Sequence, residues 1–452
     1  MFSLSQLTKA LRESRQRVLD LVSDLSDEQL MGPRLAIINP LLWEIGHAAY
    51  FQEFWALRHL RQEFPILSTA DTLYDSARIA HDTRWDLLLP SRAETLDYLR
   101  KVLGRVVEVY HEGRVDAHKQ IGGYDETYFL NLVLFHECMH AEAIAYTRQT
   151  LSYPLPRFTG FKPDGADENA HYTSQESLTR SSDEKLGDAP IPGGTFLLGN
   201  APDCHFVFDN EQWAHPVRVK PFSISRTAVT NAEFETFVSD KGYERREFWS
   251  DEGWQWRERL NAKHPVYWQL ASGGRWLRRN SDQWVPLEEH LPVLHVNWYE
   301  ADAFCRWTGR RLPTEAEWEM AASTEPATDG RGISLYKRRY PWGDDPPTPD
   351  HANLDWQSMG CVDVTALPAG DSAFGCRQMI GNVWEWTATD FGPYPGFAPG
   401  PYKEYSAPWF GDHKVLRGGC WATRSGMITN TYRNFYKPDR RDVWAGFRTC
   451  VS

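Results

Sequence analysis

No stretch of the 452-residue sequence approaches the roughly 18 consecutive apolar residues that a membrane-spanning helix needs, so a soluble chain without a membrane partner is expected. A basic surplus is missing too. Lys and Arg number 49 against 61 Asp and Glu, a net charge of -12, which is the wrong sign for a protein that draws affinity from phosphates and sets nucleic acid aside as a partner. Cysteine is sparse and odd in number, seven, with no Cys-x-x-Cys pair. That pattern excludes a disulfide framework and predicts reduced thiols. The start, Met1-Phe2-Ser3-Leu4-Ser5-Gln6-Leu7, lacks a basic segment followed by an apolar core and a cleavage site, so a cytoplasmic enzyme is the expectation.

What is abundant is aromatic: 20 Trp, 19 Tyr and 22 Phe, with most of the Trp after Pro190. Such a half predicts a loop-heavy fold stapled by ring packing, with faces that could hold a cationic ligand. At roughly 100–200 residues per domain, the length predicts two or three domains. Leu4, Leu7, Leu11, Val18, Leu21, Val22 and Leu25 mark an amphipathic first helix. Asn39-Pro40 opens a second, from Leu41 to about Arg61, since Pro in a first turn gives up an N–H that would be unsatisfied anyway. A third runs from Ser91 to about Glu112 and a fourth from Asp125 to Thr150. Residues 1–151 thus read as a four-helix bundle. Residues 152–189, rich in Pro, Gly, Ser, Asp and Glu, read as a linker. Residues 190–452 read as an irregular α+β domain with helices near Asn231–Ser239 and Trp298–Gly309.

The fourth helix carries His136-Glu137-Cys138-Met139-His140. Imidazoles at i and i+4 share a helix face and can grip one metal ion, and bundles commonly complete such sites from a facing helix, where His47 lies. His59 and His81 stand nearby as other choices. A zinc peptidase also uses His-Glu-x-x-His, but Ala141-Glu142-Ala143-Ile144-Ala145-Tyr146 brings neither the glycine nor the third histidine of a metzincin. Three neutral imidazoles on one face of a metal would leave positions open for O2 and a substrate. Nothing in the spacing selects iron over zinc, and a buried structural histidine pair is the bland alternative.

The C-terminal domain contains Ala228-Val229-Thr230-Asn231-Ala232-Glu233-Phe234, Pro292-Val293-Leu294-His295-Val296-Asn297-Trp298, Arg311-Leu312-Pro313-Thr314-Glu315-Ala316-Glu317-Trp318-Glu319, Gly381-Asn382-Val383-Trp384-Glu385-Trp386, Arg417-Gly418-Gly419 and Ala445-Gly446-Phe447-Arg448. This ordered set resembles the formylglycine-generating-enzyme/sulfatase-modifying domain, a C-type-lectin-like fold. Joined to a bundle of the DinB-like kind, nearly the whole chain resembles the ergothioneine-type sulfoxide synthases, non-heme iron enzymes that attach a chalcogen to hercynine. The wording from His136 to Ala143, with Tyr146-Thr147-Arg148-Gln149-Thr150-Leu151, is most similar to the selenoneine synthase branch.

The resemblance implies Fe(II) held by His47, His136 and His140; the phrase Trp43-Glu44-Ile45-Gly46-His47 matches the family's ligand position. It implies Tyr402, in Tyr402-Lys403-Glu404-Tyr405, as proton donor, and Tyr405, Asn434 and Phe435 as contacts to hercynine. Loop aromatics that merely pack are the alternative there. Tyr436 stands where relatives using γ-glutamylcysteine commonly carry an acid, and Met139 where many place a glutamine; the thioether cannot donate that hydrogen bond. Arg84 and Arg440 could anchor a polar donor or the hercynine carboxylate, or be ordinary surface arginines. The segment Ser425 to Arg433 lacks the copper-binding cysteines of true formylglycine-generating enzymes, so that activity is not expected. Carbonyls around Asn382 and Glu385 could bind Ca2+, with Trp-rich packing as the competing reason.

These departures put first an O2-dependent coupling of hercynine to a selenosugar. Sulfoxide formation with cysteine or γ-glutamylcysteine as thiol donor is the close rival, and a non-catalytic lectin-like binding protein is the rival of another class.

Overall fold

The computed structural model describes residues 4–111, 120–158, 187–202, 206–329 and 332–452. They divide into two compact units, one made of the N-terminal helices with residues 281–283, the other of the remaining C-terminal residues. Most of the expected linker, residues 159–186, lies outside the described residues; near its far end a strand already begins at Asp188.

The first unit contains α1 (Leu4–Ser23), α2 (Asp27–Met31), α3 (Leu41–Gln52), α4 (Ala70–Tyr74), α5 (Arg92–His111) and α6 (Glu126–Thr150). The four long helices are those that periodicity indicates, and Asp125 caps α6 by accepting the Tyr128 N–H at 2.8 Å. The helix begun by α3 continues as a π-helical stretch, Glu53–His59. Every residue of α3 is buried, which explains why it lacks a polar stripe.

One guanidinium ties the helices together. Arg15 on α1 donates to Glu137 on α6 (2.5 Å), to Gln52 on α3 (2.9 Å) and to the Leu99 carbonyl on α5 (2.5 Å). Arg15 and Glu137 are both buried. Arg15→Met should therefore leave a buried carboxylate uncompensated and cost about 3–5 kcal/mol, read by chemical denaturation; a loss within experimental error would contradict this arrangement.

The second unit adds α7 (Asn231–Ser239), α8 (Asp251–Leu260), α9 (Trp298–Trp307) and α10 (Glu315–Ser323). Periodicity indicated α7 and α9; α8 and α10 are additional. Three of the recognised phrases are helix starts: Thr230 with Glu233, Asn297 with Glu300, and Thr314 with Glu317 each form a reciprocal capping box. One four-stranded sheet runs Arg310–Arg311, Cys450–Val451, Phe222–Ser225, Asp188–Ile191; another runs Asn434–Tyr436, Lys414–Arg417, Trp384–Asp390, Ala445–Gly446. Only the last pair of the second sheet is parallel.

Buried ion pairs explain two more phrases. Arg417 is fully buried against Glu315 and Glu319, and Arg448 against Glu385. Beside Arg417, Gly418 sits at φ 94°, and a Cβ there would lie 2.4 Å from the Met379 carbonyl oxygen, so only glycine fits. The six described cysteines are all buried and free. Among the described residues no helix is long and apolar enough to cross a membrane.

Candidate metal centre and aromatic loop

Since α3 and α6 pack against one another, His47 meets His136 and His140. Each ring brings one nitrogen into a group lying within 4.8 Å of one another, the one such potential metal-binding cluster found among the described residues. The Nε2 atoms of His136 and His140 are 3.1 Å apart. His47 and His136 are buried; His140 keeps 18% of its side chain exposed.

Each ring is held in place by its surroundings. His47 Nδ1–H donates to the Tyr74 carbonyl at 2.7 Å, and its ring stacks on Trp43 at 4.8 Å. A Cβ on Gly46 would fall 2.3 Å from the Tyr74 ring, so glycine is what lets Tyr74 close on α3. Phe51 stacks on His136 at 3.5 Å. His140 Nδ1–H donates to Glu44 Oε1 at 2.5 Å, and Asn39 donates to Glu44 Oε2 at 2.5 Å. Turning Nδ1 outward in this way aims Nε2 at the common point, as carboxylate–histidine pairs do around metals.

Burial, with His140 alongside, lowers His47 to about 3, and burial holds His136 well below its ordinary value; both rings are neutral, as ligands must be. Burial would raise the Glu44 carboxyl, but the neighbouring His140 and His47 rings and the Asn39 amide bring it down to about 2. Glu44→Ala is expected to weaken metal binding by about 10–100-fold, with Glu44→Gln recovering part of the loss, measured by titrating the metal-free protein. Metal affinity unchanged in both would remove Glu44 from this role.

Glu137 takes no part in the cluster. It is fully buried on Arg15, which removes the general base of the peptidase alternative. Arg84, foreseen as an anchor for substrate, donates to Asn39 Oδ1 at 2.5 Å and lies 3.9 Å over the Trp43 ring. Its place in the unit is thus behind Glu44 and His47. Met139 is half-buried beside His140. Sequence reasoning missed Glu44, Tyr74 and Asn39, although an acid three residues before His47 on an otherwise apolar helix was a usable signal.

In the second unit, Tyr402, Tyr405 and Phe435 form a chain of rings. Tyr402 and Tyr405 lie 5.9 Å apart, as do Tyr405 and Phe435. Tyr405 OH is 3.3 Å from Tyr432 OH, and burial, with Tyr432 beside it, pushes the Tyr405 phenol well up. Asn434, Phe435 and Tyr436 form a half-buried strand, paired with Lys414–Leu416. Phe435 stacks on Phe391 at 4.0 Å. Arg440 lies over Tyr436 and is paired at both ends with Asp442, 2.6 Å each. Asn382 and Glu385 are occupied by protein: Asn382 bonds Val362, Gln378 and Asn353, and Glu385 bonds Arg448 and Trp318. They are staples of the fold, which accounts for that phrase without Ca2+.

Residues 10–144 match the DinB superfamily and residues 173–452 the sulfatase-modifying factor enzyme 1-like domain. A helical bundle with three converging imidazoles, joined to that α+β domain, defines a class of two-domain enzyme. The chain is 37% identical to a hercynine oxygenase of Mycobacterium tuberculosis, covering 99% of both chains, and 35% identical to one of Mycolicibacterium thermoresistibile, covering 98% of this chain and 94% of that one. It is also 32% identical to a formylglycine-generating enzyme of Streptomyces coelicolor, over 58% of this chain and 88% of that one. The chain belongs to the hercynine oxygenase family. It is an oxidoreductase, and the reading as a non-catalytic lectin-like protein falls.

Proposed function

We propose that this enzyme uses Fe(II) and O2 to join a thiol donor, cysteine or γ-glutamylcysteine, to the imidazole C2 of hercynine, giving a hercynine sulfoxide. The observation that carries the reading is the converging set His47, His136 and His140 in a chain whose full-length relatives are hercynine oxygenases. Three nitrogen donors, two of them buried and two oriented through Nδ1 by fixed acceptors, suit a divalent first-row metal. Fe(II) bound there would supply O2 activation and an open position for the donor's chalcogen.

The remaining roles belong to side chains. Tyr402 holds the proton to be delivered, and a phenol is fit for general acid work when the transfer is short. Phe435 and Tyr405 present ring faces to the hercynine trimethylammonium, and the Asn434 carbonyl supplements them. Arg440 is already paired with Asp442 and Arg84 is held by Asn39 and Trp43, so neither is assigned a substrate carboxylate, and Met139 gives a soft apolar contact beside His140.

The sequence-based ordering, with the selenosugar first, is reversed here, because family membership supports hercynine as acceptor while nothing in the relatives' names points to selenium. A selenosugar donor is kept as a second reading on one observation. The position that would pair with a donor amine is Tyr436, and nearby Asp442 is buried and spent on Arg440. Iron-loaded protein in air should convert hercynine with cysteine or γ-glutamylcysteine to a sulfoxide detected by mass. Conversion with 1-selenoglucose alone would favour the second reading, and hercynine untouched by every donor would overturn both.

A further inference from the structure

Asp209 connects to the loop that carries Tyr402, and neither its neighbours in sequence nor its distance along the chain announces this. The residue is only 3% exposed. One carboxylate oxygen accepts the Ser406 hydroxyl at 2.5 Å and the other the Gly400 N–H at 3.2 Å, so a single side chain holds both ends of the span containing Tyr402 and Tyr405. Within that span the Tyr405 N–H closes a turn on the Tyr402 carbonyl at 3.2 Å. Just before it, Gly396 and Pro399 stand in chain without helix or strand.

The platform under the carboxylate is itself fixed. Asp209–Glu211 forms a 3-10 turn. The Asn200 N–H donates to the Glu211 carbonyl at 2.8 Å, and Arg433 donates to the Asn210 carbonyl at 2.6 Å. Immediately before it, Phe208 stacks on Tyr405 at 4.5 Å with an interplanar angle of 25°. A buried carboxylate bonded to a hydroxyl and an amide is a costly way to pack a loop, since an uncharged side chain could satisfy the same donors with less desolvation. What the carboxylate adds is two strong acceptors at fixed separation.

We infer that Asp209, acting with Ser406, is a positioning residue that sets the Tyr402 phenol for proton delivery. This rests on the proposed role of Tyr402. The proton moves from the phenol oxygen of Tyr402 to the reacting centre; Asp209 exchanges none.

The test is a double-mutant cycle on the full-length iron-loaded protein. Asp209→Asn and Ser406→Ala are measured alone and combined with Tyr402→Phe, reading turnover, metal content and melting temperature. Asn keeps the shape but sets an amide against a donor, and Ala removes one bond only. Each single change should lower turnover by roughly 10–100-fold with metal content intact, the scale expected when a reacting group is misplaced. In the Tyr402→Phe background neither should lower it further. Full turnover in both single variants, or the same fold-loss with and without Tyr402, would overturn the inference. Should Asp209→Asn fail to fold, Ser406→Ala decides alone. If Tyr402→Phe itself keeps full turnover, the proton-donor reading fails and the inference falls with it, a result separate from additivity.

Discussion

His140→Ala is expected to abolish turnover and strip the enzyme of its metal while leaving the fold in place. Of the three converging imidazoles His140 is the most exposed, at 18% of its side chain, and its Nδ1 contact is to the Glu44 carboxylate. Truncating it removes one of three ligands without opening a deep cavity. His136→Ala is the harsher change, because Phe51 lies flat on that ring at 3.5 Å and would lose its partner along with the ligand. The loss of iron affinity in His140→Ala should exceed the ~10–100-fold that follows removal of an outer-shell partner. Iron content after dialysis, turnover and thermal melting of the same sample check this together. Iron retained at the wild-type level would show that His140 is not a ligand.

Tyr402→Phe is expected to lower turnover by about 10²–10⁴-fold, the usual worth of a positioned general acid, with iron content and hercynine KM nearly unchanged. The ring stays, so its packing against Tyr405 at 5.9 Å stays too; only the proton is lost. Tyr405→Phe should cost less, since the Tyr405 hydroxyl is already engaged by Tyr432 at 3.3 Å. A Tyr402→Phe enzyme with wild-type turnover would move the donor elsewhere.

Much of the bundle could be read from sequence because its signals are local. Apolar spacing outlines α1 and α5, a proline opens α3, and i, i+4 spacing puts His136 and His140 together. The phrases of the second unit were legible for a related reason: several are capping boxes or arginines paired in the interior, where few residue types satisfy the geometry. Contacts between distant segments were not legible. That Arg15 would neutralise Glu137, that Tyr74 would offer its carbonyl to His47, and that Arg84 would settle behind Glu44 depend on how helices pack. The strand Asn434–Tyr436 was hidden because its pairing partner, Lys414–Leu416, lies in a separate stretch of chain. Asp209 was hidden for the same reason, its two partners being loop groups near residue 400.

On the proposed function, His47, His136 and His140 hold the iron with which this chain couples hercynine to its donor at the expense of O2. The most direct measurement follows dissolved O2 and hercynine together in iron-loaded wild-type protein and in His140→Ala, with each donor in turn. Hercynine-dependent O2 uptake in the wild type, matched by loss of hercynine and absent from the variant, is the predicted result. O2 uptake indifferent to hercynine, or equal in the two proteins, would contradict it.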